Sequence, residues 1–140
     1  MDQKFNQAVQ EIIQRDERYH ADAYQFVNSA VSYTVKKLSR DHKPSGNRHV
    51  TAEELVAGSM DYAITEYGFL AAAVLRNWGL LSGEDFGNIV YNMIDAKLLS
   101  ASKDDSPADF LCHPELTNEL QERINSRLLI PDPPPPPVLD

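Results

Sequence analysis

The sequence predicts a mainly α-helical, compact domain whose second half follows the order of a winged helix-turn-helix. Apolar residues recur at three- and four-residue steps along most of the chain, which is the spacing of helices with one buried face. The stretch from Phe69 to Leu111 then reads as a helix, a tight turn, a second helix and a small β-hairpin. We expect one helical domain over residues 1–130, with the winged-helix-like part at 69–111, and a proline-rich tail at 131–140.

The composition is that of a globular protein with an uneven distribution of charge. The 140 residues have a net charge of −8, of which residues 1–50 contribute +2 and residues 51–140 contribute −10. An acidic second half repels phosphate backbones. A lone cysteine, Cys112, fits a reducing compartment, and the N-terminal residues lack an apolar signal-peptide core. No apolar run reaches the roughly 20 residues that span a bilayer, so we expect a cytoplasmic protein.

The first half of the chain is predicted to form three helices. Asp2 is suited to cap the first, whose apolar stripe consists of Phe5, Val9, Ile12 and Ile13. The second runs from about Ala21 to Arg40 and ends at a loop over residues 41–47, which contains Pro44 and Gly46. Its wide apolar face consists of Ala23, Phe26, Val27, Ala30, Val31, Thr34, Val35 and Leu38.

The third helix has the clearest predicted start. Thr51 and Glu54 have the spacing of a capping box, in which each side chain accepts a hydrogen bond from the backbone N–H of the other residue. Val50 and Leu55 stand where a hydrophobic staple belongs. Gly68 is expected to end this helix.

The second half is predicted to contain two helices, a hairpin and a last helix. The first helix runs from Phe69 to Trp78, and the second runs from Ser82 to Ala96, capped by Ser82 and Asp85. Strands are expected at Leu98–Ser102 and Ala108–Leu111, and the last helix at Pro114–Leu129. The core of this half should contain Trp78, Phe86, Ile89, Met93 and Leu98. The helical spacing of the other aromatic residues, Phe69 included, also indicates mostly core positions.

Several separated segments form a recognisable order of motifs: Arg48–Leu55, Glu66–Gly68, Trp78–Gly79, Glu84–Met93, Asp105–Ser106 and Asp109–Phe110, with Asp16–Tyr19 and Ala23–Val27 toward the N-terminus. Together they resemble those of the Minf-type family of short bacterial proteins. The resemblance covers roughly residues 12–110, and the last helix and the proline tail depart from it. Because that family has no assigned function, the resemblance implies no activity, no cofactor and no catalytic residues.

The charge on the helix at 82–96 argues against a DNA-reading role for that helix. Its polar face is expected to comprise Glu84, Asp85, Asn88, Asn92 and Asp95. Carboxylates there would meet DNA phosphates at close range, whereas a recognition helix is normally basic. We therefore interpret this acidic face as a surface for a protein partner.

A basic cluster could instead hold RNA, DNA or a phosphate-bearing ligand. It consists of Lys36, Lys37, Arg40, Lys43 and Arg48. The alternative is a solvated helix end, where cations complement the negative end of the helix dipole.

The proline tail also has two interpretations. The prolines Pro133, Pro134, Pro135, Pro136 and Pro137 favour an extended polyproline II conformation. Such a segment is either a solvated terminus or a docking peptide for an aromatic groove.

The sequence gives only weak indications of a metal site or a catalytic site. His49 and Glu53 could share a metal, but the remaining histidines are too scattered to complete a ligand set, and a polar helix cap explains the pair better. Cys112 and His113 are adjacent and poorly placed for proton transfer, so we expect a buried structural cysteine. Two carboxylate pairs need no acid–base role. Glu84–Asp85 is explained by the favourable field at a helix start, and Asp104–Asp105 is explained by the preference of Asp for turns.

These observations favour a non-enzymatic protein-interaction module of the bacterial cytoplasm. It would use the acidic helix face or the proline tail toward a protein partner, without a metal or cofactor. The alternative is a nucleic-acid or ribosome-associated protein that binds through residues 36–49. An enzyme is the third class, and it would need a deep pocket with converging titratable groups.

Overall fold

A computed structural model describes residues 3–38, 50–100 and 106–127 of the chain. The described part is mainly helical, as the sequence predicts. Its α-helices are α1 (Gln3–Arg15), α2 (Ala21–Lys37), α3 (Ala52–Tyr67), α4 (Ala71–Asn77), α5 (Gly83–Asp95) and α6 (Leu116–Arg127). Short 3₁₀ turns occupy Gly68–Leu70 and Pro107–Phe110.

The first two helices bury most of the faces that their spacing indicates, but Leu38, at the end of the predicted apolar face of the second helix, is 39% exposed. In α1, Val9 and Ile12 are buried, while Phe5 and Ile13 pack against the core from its edge. In α2, the buried side chains are Ala23, Tyr24, Phe26, Val27, Ala30 and Thr34. The helix packs most extensively against α3, so the α2–α3 pair forms the centre of the fold. Residues 39–49, which include the predicted end of this helix and the loop, lie outside the described residues.

The start of α3 is the predicted capping box. The Glu54 backbone N–H donates to the Thr51 hydroxyl at 3.1 Å, and the Thr51 N–H donates to Glu54 Oε1 at 3.0 Å. Two backbone donors that the helix cannot satisfy itself are thereby paired. The helix ends at Gly68, whose φ of +57° favours glycine.

Thr51→Ala is expected to lower the free energy of unfolding by about 1 kcal/mol, since it removes an N-cap acceptor. Urea unfolding of this variant and of Glu54→Ala would measure the effect. Ser32→Ala, at an exposed position within α2, is the matched control and should unfold close to the wild type. Wild-type stability in both capping-box variants would contradict the assignment.

The helix–turn–helix order of the next segment is confirmed. Gly79 makes the turn with a φ of +87°, and α5 begins with a capping box between Ser82 and Asp85. Phe86, Ile89 and Met93 are buried, and Trp78 and Leu98 pack partly buried against the same core. Phe69 differs from the prediction, because its side chain is 66% exposed.

The winged part of the prediction is wrong. No strand occurs within residues 3–38, 50–100 or 106–127, and the expected strand at 108–111 is replaced by the 3₁₀ turn Pro107–Phe110. Ser106 and Asp109 form a capping box there, with proline at the first helical position. This pattern favours a helical turn over a strand. The rest of the predicted hairpin, residues 101–105, lies outside the described range.

The segment 107–113 lies against a glycine-lined face of α5. The Gly83 N–H donates to the His113 carbonyl oxygen at 2.7 Å. One turn later, a Cβ on Gly87 would stand 3.0 Å from the Phe110 ring, so the two segments approach closely. Phe110 also contacts the ring of Phe86, with centroids 5.8 Å apart. A bulky wing is thus absent from the described part of this region, and a short turn is packed in its place.

The last described helix docks through an apolar stripe whose members recur every four residues. Leu116, Leu120 and Ile124 are buried, and α6 packs mainly against α4. The helix begins two residues after Pro114, and residues 128–140, with the proline tail, are outside the described part. Among the helices that the structure describes, none has the length and apolar character needed to cross a bilayer.

Candidate functional site

The acidic helix face is largely engaged inside the fold. The Tyr19 hydroxyl donates to Asp85 Oδ1 at 2.8 Å, and Asn88 Nδ2 donates to the Tyr19 oxygen at 2.9 Å. Asn92 Nδ2 donates to Asp16 Oδ2 at 3.0 Å and to the Tyr24 hydroxyl at 3.1 Å. Of the five residues predicted for this face, Glu84 and Asp95 are the two classed as exposed.

At neutral pH the carboxyl of Asp16 in this network is ionised, and the tyrosine hydroxyls are neutral. Hydrogen bonds from Arg18 hold the pKa of the Asp16 carboxyl well below its usual range, outweighing the effect of burial. Burial raises the pKa of Tyr19 to about 12, and burial also raises the pKa of Tyr24. Both hydroxyls therefore stay protonated. The network fastens α5 to the segment between α1 and α2 and leaves few groups of the predicted acidic face for a partner.

The basic side of the molecule is gathered around one buried carboxylate. Lys37 and Arg127 both form ion pairs with Asp61, and Arg123 Nη1 lies 3.9 Å from Asp61 Oδ1. The Asp61 side chain is only 8% exposed, whereas the three cationic side chains are between 38% and 49% exposed. The predicted cluster thus gains two arginines from α6. Its members Arg40, Lys43 and Arg48 lie outside the described residues, while Lys36 is exposed.

A cleft lined by aromatic rings lies between α2, α3 and the end of α4. Phe26 contacts Tyr62 and Trp78, with ring centroids 5.6 Å and 5.7 Å apart. Tyr67 stands edge-on to Trp78 at 5.8 Å. The cleft has a volume of about 200 Å³, and its remaining lining residues are Asp22, Gln25 and Ser29.

Backbone contacts position the tryptophan of this cleft. Trp78 ends α4, and the His20 N–H donates to its carbonyl oxygen at 3.2 Å. His20 is the N-cap of α2, so the end of one helix is tied to the start of another. This contact places the indole beside Phe26 in the first turns of α2.

The polar groups of the aromatic residues that line the cleft are available to a ligand. Within the described residues, the Trp78 indole N–H and the hydroxyls of Tyr62 and Tyr67 make no hydrogen bond. Burial raises the pKa of Tyr67, so its hydroxyl remains a donor at neutral pH. Apolar ring faces with donors at their edges bind extended peptide backbones.

Sequence reasoning did not identify this cleft. The aromatic residues that form it were interpreted as core, and Phe26 is indeed buried. Trp78, Tyr62 and Tyr67 are instead partly buried. Their positions come from three helices that meet only in the folded chain, so spacing along the sequence contained no direct indication of the cleft.

His113 joins the starts of two helices. Its Nε2 lies 2.8 Å from Glu53 Oε1 in the first turn of α3, and its Nδ1 lies 2.9 Å from Glu119 Oε2 in the first turn of α6. Burial alone would lower the pKa of His113, but the hydrogen bonds to Glu53 and Glu119 outweigh it and leave the pKa raised. Both ring nitrogens can donate only in the imidazolium form, which the two carboxylates favour.

This arrangement predicts a pH-dependent stability. Because the pKa of His113 is higher in the folded than in the unfolded protein, its contribution is complete below the unfolded pKa of about 6.5 and is lost as pH rises through the folded value. His113→Gln should therefore lower stability by about 1 kcal/mol at pH 5.5 and by less at pH 8.5. Urea unfolding at both pH values measures this, and an equal loss at both would contradict it.

The neighbouring cysteine differs from expectation. Cys112 is exposed and free, not buried, because it lies in the surface turn that follows the 3₁₀ turn at Pro107–Phe110. Glu53 is bound to His113, while His49 lies outside the described residues. Over the described ranges, no three His, Cys, Asp or Glu side chains converge as a metal-binding group.

Comparisons with known proteins give no relative for this chain. No family model, no curated protein and no solved structure matches it. The features of the molecule that bear on its function are therefore the geometry of the cleft and of the two charged regions.

Proposed function

We propose that the protein is a non-enzymatic interaction module of the cytoplasm that binds an extended, proline-rich segment of a protein partner in its aromatic cleft. The observation behind this proposal is the cleft in which the partly buried rings of Tyr62 and Trp78 flank the buried ring of Phe26, with donors at its edge that form no hydrogen bond within the described residues. The exposed, unpaired Cys112 is consistent with a reducing compartment.

The chemistry of the cleft suits a polyproline II ligand. Pyrrolidine rings pack on aromatic faces, and the carbonyl oxygens between them accept hydrogen bonds from tryptophan and tyrosine. Proline itself has no N–H group, so burying it against rings leaves no donor unsatisfied. The acidic helix has a smaller role in this proposal than its composition suggests, because Asp85, Asn88 and Asn92 are used within the fold.

The test uses the one tryptophan of the chain as its reporter. A proline-rich decapeptide is titrated against the full-length protein, and the Trp78 indole N–H resonance is followed by NMR. We expect a saturable shift, while a Gly/Ser decapeptide of equal charge should cause none. Tyr67→Phe should weaken binding, whereas Tyr33→Phe, which alters a neighbouring ring outside the cleft, should not. An indole resonance unmoved at millimolar peptide would reject the proposal.

A second function has one observation in its favour. Arg123 and Arg127 of α6 extend the basic cluster that begins at Lys36 and Lys37. Asp61 neutralises part of this charge, yet the group retains an excess of exposed cations. Such a surface could contact the phosphates of RNA or DNA.

We predict that any affinity for nucleic acid arises from this basic surface and not from the helix α5. Changing Lys36, Arg40, Lys43 and Arg48 to Ser leaves the partners of Asp61 in place and should weaken binding strongly, because four of the seven cations are removed. Affinity should fall steeply with salt, by about 0.9 in logarithmic slope for each duplex phosphate contacted. Titration of labelled DNA and RNA at two salt concentrations measures this. Lys97→Ser, at an exposed lysine just after α5, is the control. An affinity and a salt dependence unchanged by the four substitutions would contradict the prediction.

A further inference from the structure

We propose that the aromatic cleft prefers a ligand segment in which an arginine stands beside the prolines, and that the guanidinium group of this arginine binds at Asp22. This inference rests on the proposed function, because it concerns the same cleft and the same extended ligand. It adds the charge and the chemical class of the side chain by which the cleft distinguishes one proline-rich segment from another.

The rings that border the cleft are suited to a cation. Trp78 and Tyr67 lie 5.8 Å apart with their planes at 81°, and Tyr62 lines the same cleft. All three residues are partly buried. Ring faces attract a cation that lies within about 6 Å of the ring centre, with tryptophan the strongest ring and arginine the more frequent cation. The cleft thus offers more than a surface for pyrrolidine rings.

Asp22 supplies a carboxylate to this cleft. It lies in the first turn of α2, and its side chain is 57% exposed. The Asp22 backbone N–H donates to His20 Nδ1 at 3.1 Å, and a ring nitrogen that accepts a hydrogen bond carries no proton. Although Asp22 Oδ2 lies 3.5 Å from the same nitrogen, His20 therefore does not neutralise the carboxylate in this arrangement. Within the described residues, no lysine or arginine forms an ion pair with Asp22.

The electrostatic field of the cleft is negative. Burial raises the pKa of Tyr67, and electrostatic interactions with Tyr62, Glu66 and Asp22 raise it further. Two carboxylates therefore act on the Tyr67 hydroxyl. Among the residues that line the cleft in the described part of the chain, none is a lysine or an arginine. A cleft with charge of one sign attracts a ligand of the opposite sign, so a cationic segment is favoured over a neutral or acidic one.

The basic group formed by Lys37, Arg123 and Arg127 lies too far away to oppose this preference. Asp22 stands in the first turn of α2, and Lys37 stands in its last turn. A rise of about 1.5 Å per residue separates the two positions by roughly 22 Å. This distance is more than twice the Debye length of about 8 Å at physiological ionic strength. The field at Asp22 is therefore set by the carboxylates beside the cleft.

Arginine fits this arrangement better than lysine. Its planar guanidinium group stacks on aromatic faces, and its fork of N–H donors matches a carboxylate. One cation–π contact and one exposed ion pair together correspond to a preference of about tenfold over a neutral side chain of the same shape. The ligand segment therefore needs both its prolines and a neighbouring arginine for full affinity.

The experiment titrates three decapeptides against the full-length protein, with the Trp78 indole N–H resonance as the reporter of binding. The first peptide contains a run of prolines followed by one arginine. In the second, citrulline, which has the shape of arginine without its charge, replaces that arginine. In the third, glycine and serine replace the prolines and the arginine is kept. We expect the first peptide to bind about tenfold more tightly than either of the others, and its advantage over the citrulline peptide to shrink as salt rises.

Two variants locate the bound cation. Asp22→Asn keeps the size of the side chain and removes its charge, so it should reduce the preference for arginine over citrulline from about tenfold to about threefold. Glu122→Gln removes the same charge from an exposed position on α6 and should keep the full preference. An equal preference in the wild type and in both variants would overturn the assignment of the guanidinium group to Asp22.

The remaining outcomes separate this inference from the proposed function. If the arginine and citrulline peptides with prolines bind with equal affinity, the inference is wrong while the function stands. If the two arginine peptides bind equally and the citrulline peptide does not bind, the cation preference stands and the proline-binding function fails. If none of the three peptides moves the indole resonance at millimolar concentration, both are rejected.

Discussion

Replacing Gly83 by alanine is expected to destabilise the protein by about 3 kcal/mol. A Cβ at this position would overlap the backbone carbonyl oxygen of Phe110 and stand 3.1 Å from the Cβ of His113. Neither neighbour can move aside as a flexible side chain would, because the Gly83 N–H is bonded to the His113 carbonyl. The substitution should therefore separate α5 from the turn that covers it.

The expected loss of stability in Gly83→Ala is opposite in sign to the change that helix propensity alone would cause. Glycine to alanine within a helix normally stabilises by roughly 0.5–1 kcal/mol. Gly87→Ala is the matched comparison, since its Cβ would meet the Phe110 ring at 3.0–3.1 Å, and a side chain can yield. Urea unfolding of both variants should show a much larger loss at Gly83. A Gly83→Ala protein as stable as the wild type would show that residues 107–113 do not pack there.

Gly58→Ala should cost about 2 kcal/mol for a related reason. Its Cβ would overlap Thr34 Oγ1 and would lie 2.8 Å from Thr34 Cγ2, at the point where α2 and α3 cross. Thr34 is buried and its hydroxyl donates to the Ala30 carbonyl at 2.7 Å, so it has little freedom to turn away.

A double-mutant cycle tests this contact directly. Thr34→Ala removes the overlapping atoms and should be destabilising alone, because it leaves a small void and loses a hydrogen bond. Combined with Gly58→Ala, it should restore part of the lost stability. We expect a coupling of more than 1 kcal/mol, in the range seen for residues in contact. Strictly additive effects of the two substitutions would contradict the close approach.

The sequence was sufficient to predict the structural features that depend on residues close together along the chain. The capping boxes at Thr51 and Ser82 each involve residues three positions apart, and the stripes of α1 and α6 follow from helical spacing. Local rules also explain the error at residues 107–110. Ser106, Pro107 and Asp109 have the pattern of a helical start, which disfavours the strand expected at 108–111.

The candidate sites depended on contacts that spacing does not encode. Asn92 is directed inward by Asp16 and Tyr24, which lie 76 and 68 residues away along the chain. The same holds for Asp61, whose cationic partners come from α2 and α6. A polar residue on a helix can face solvent or a distant polar group, and only the packed structure distinguishes the two.

We expect the network around Tyr19 to influence how the protein opens. Its bonds to Asp85 and Asn88, with those of Asn92, connect the junction of α1 and α2 to α5 over sequence separations of 66 to 76 residues. Releasing either side would leave half-buried polar groups without partners, a cost of roughly 1–3 kcal/mol for each. The α1–α2 junction and α5 therefore form one cooperative unit, and their amide hydrogens should exchange with solvent through a shared opening event.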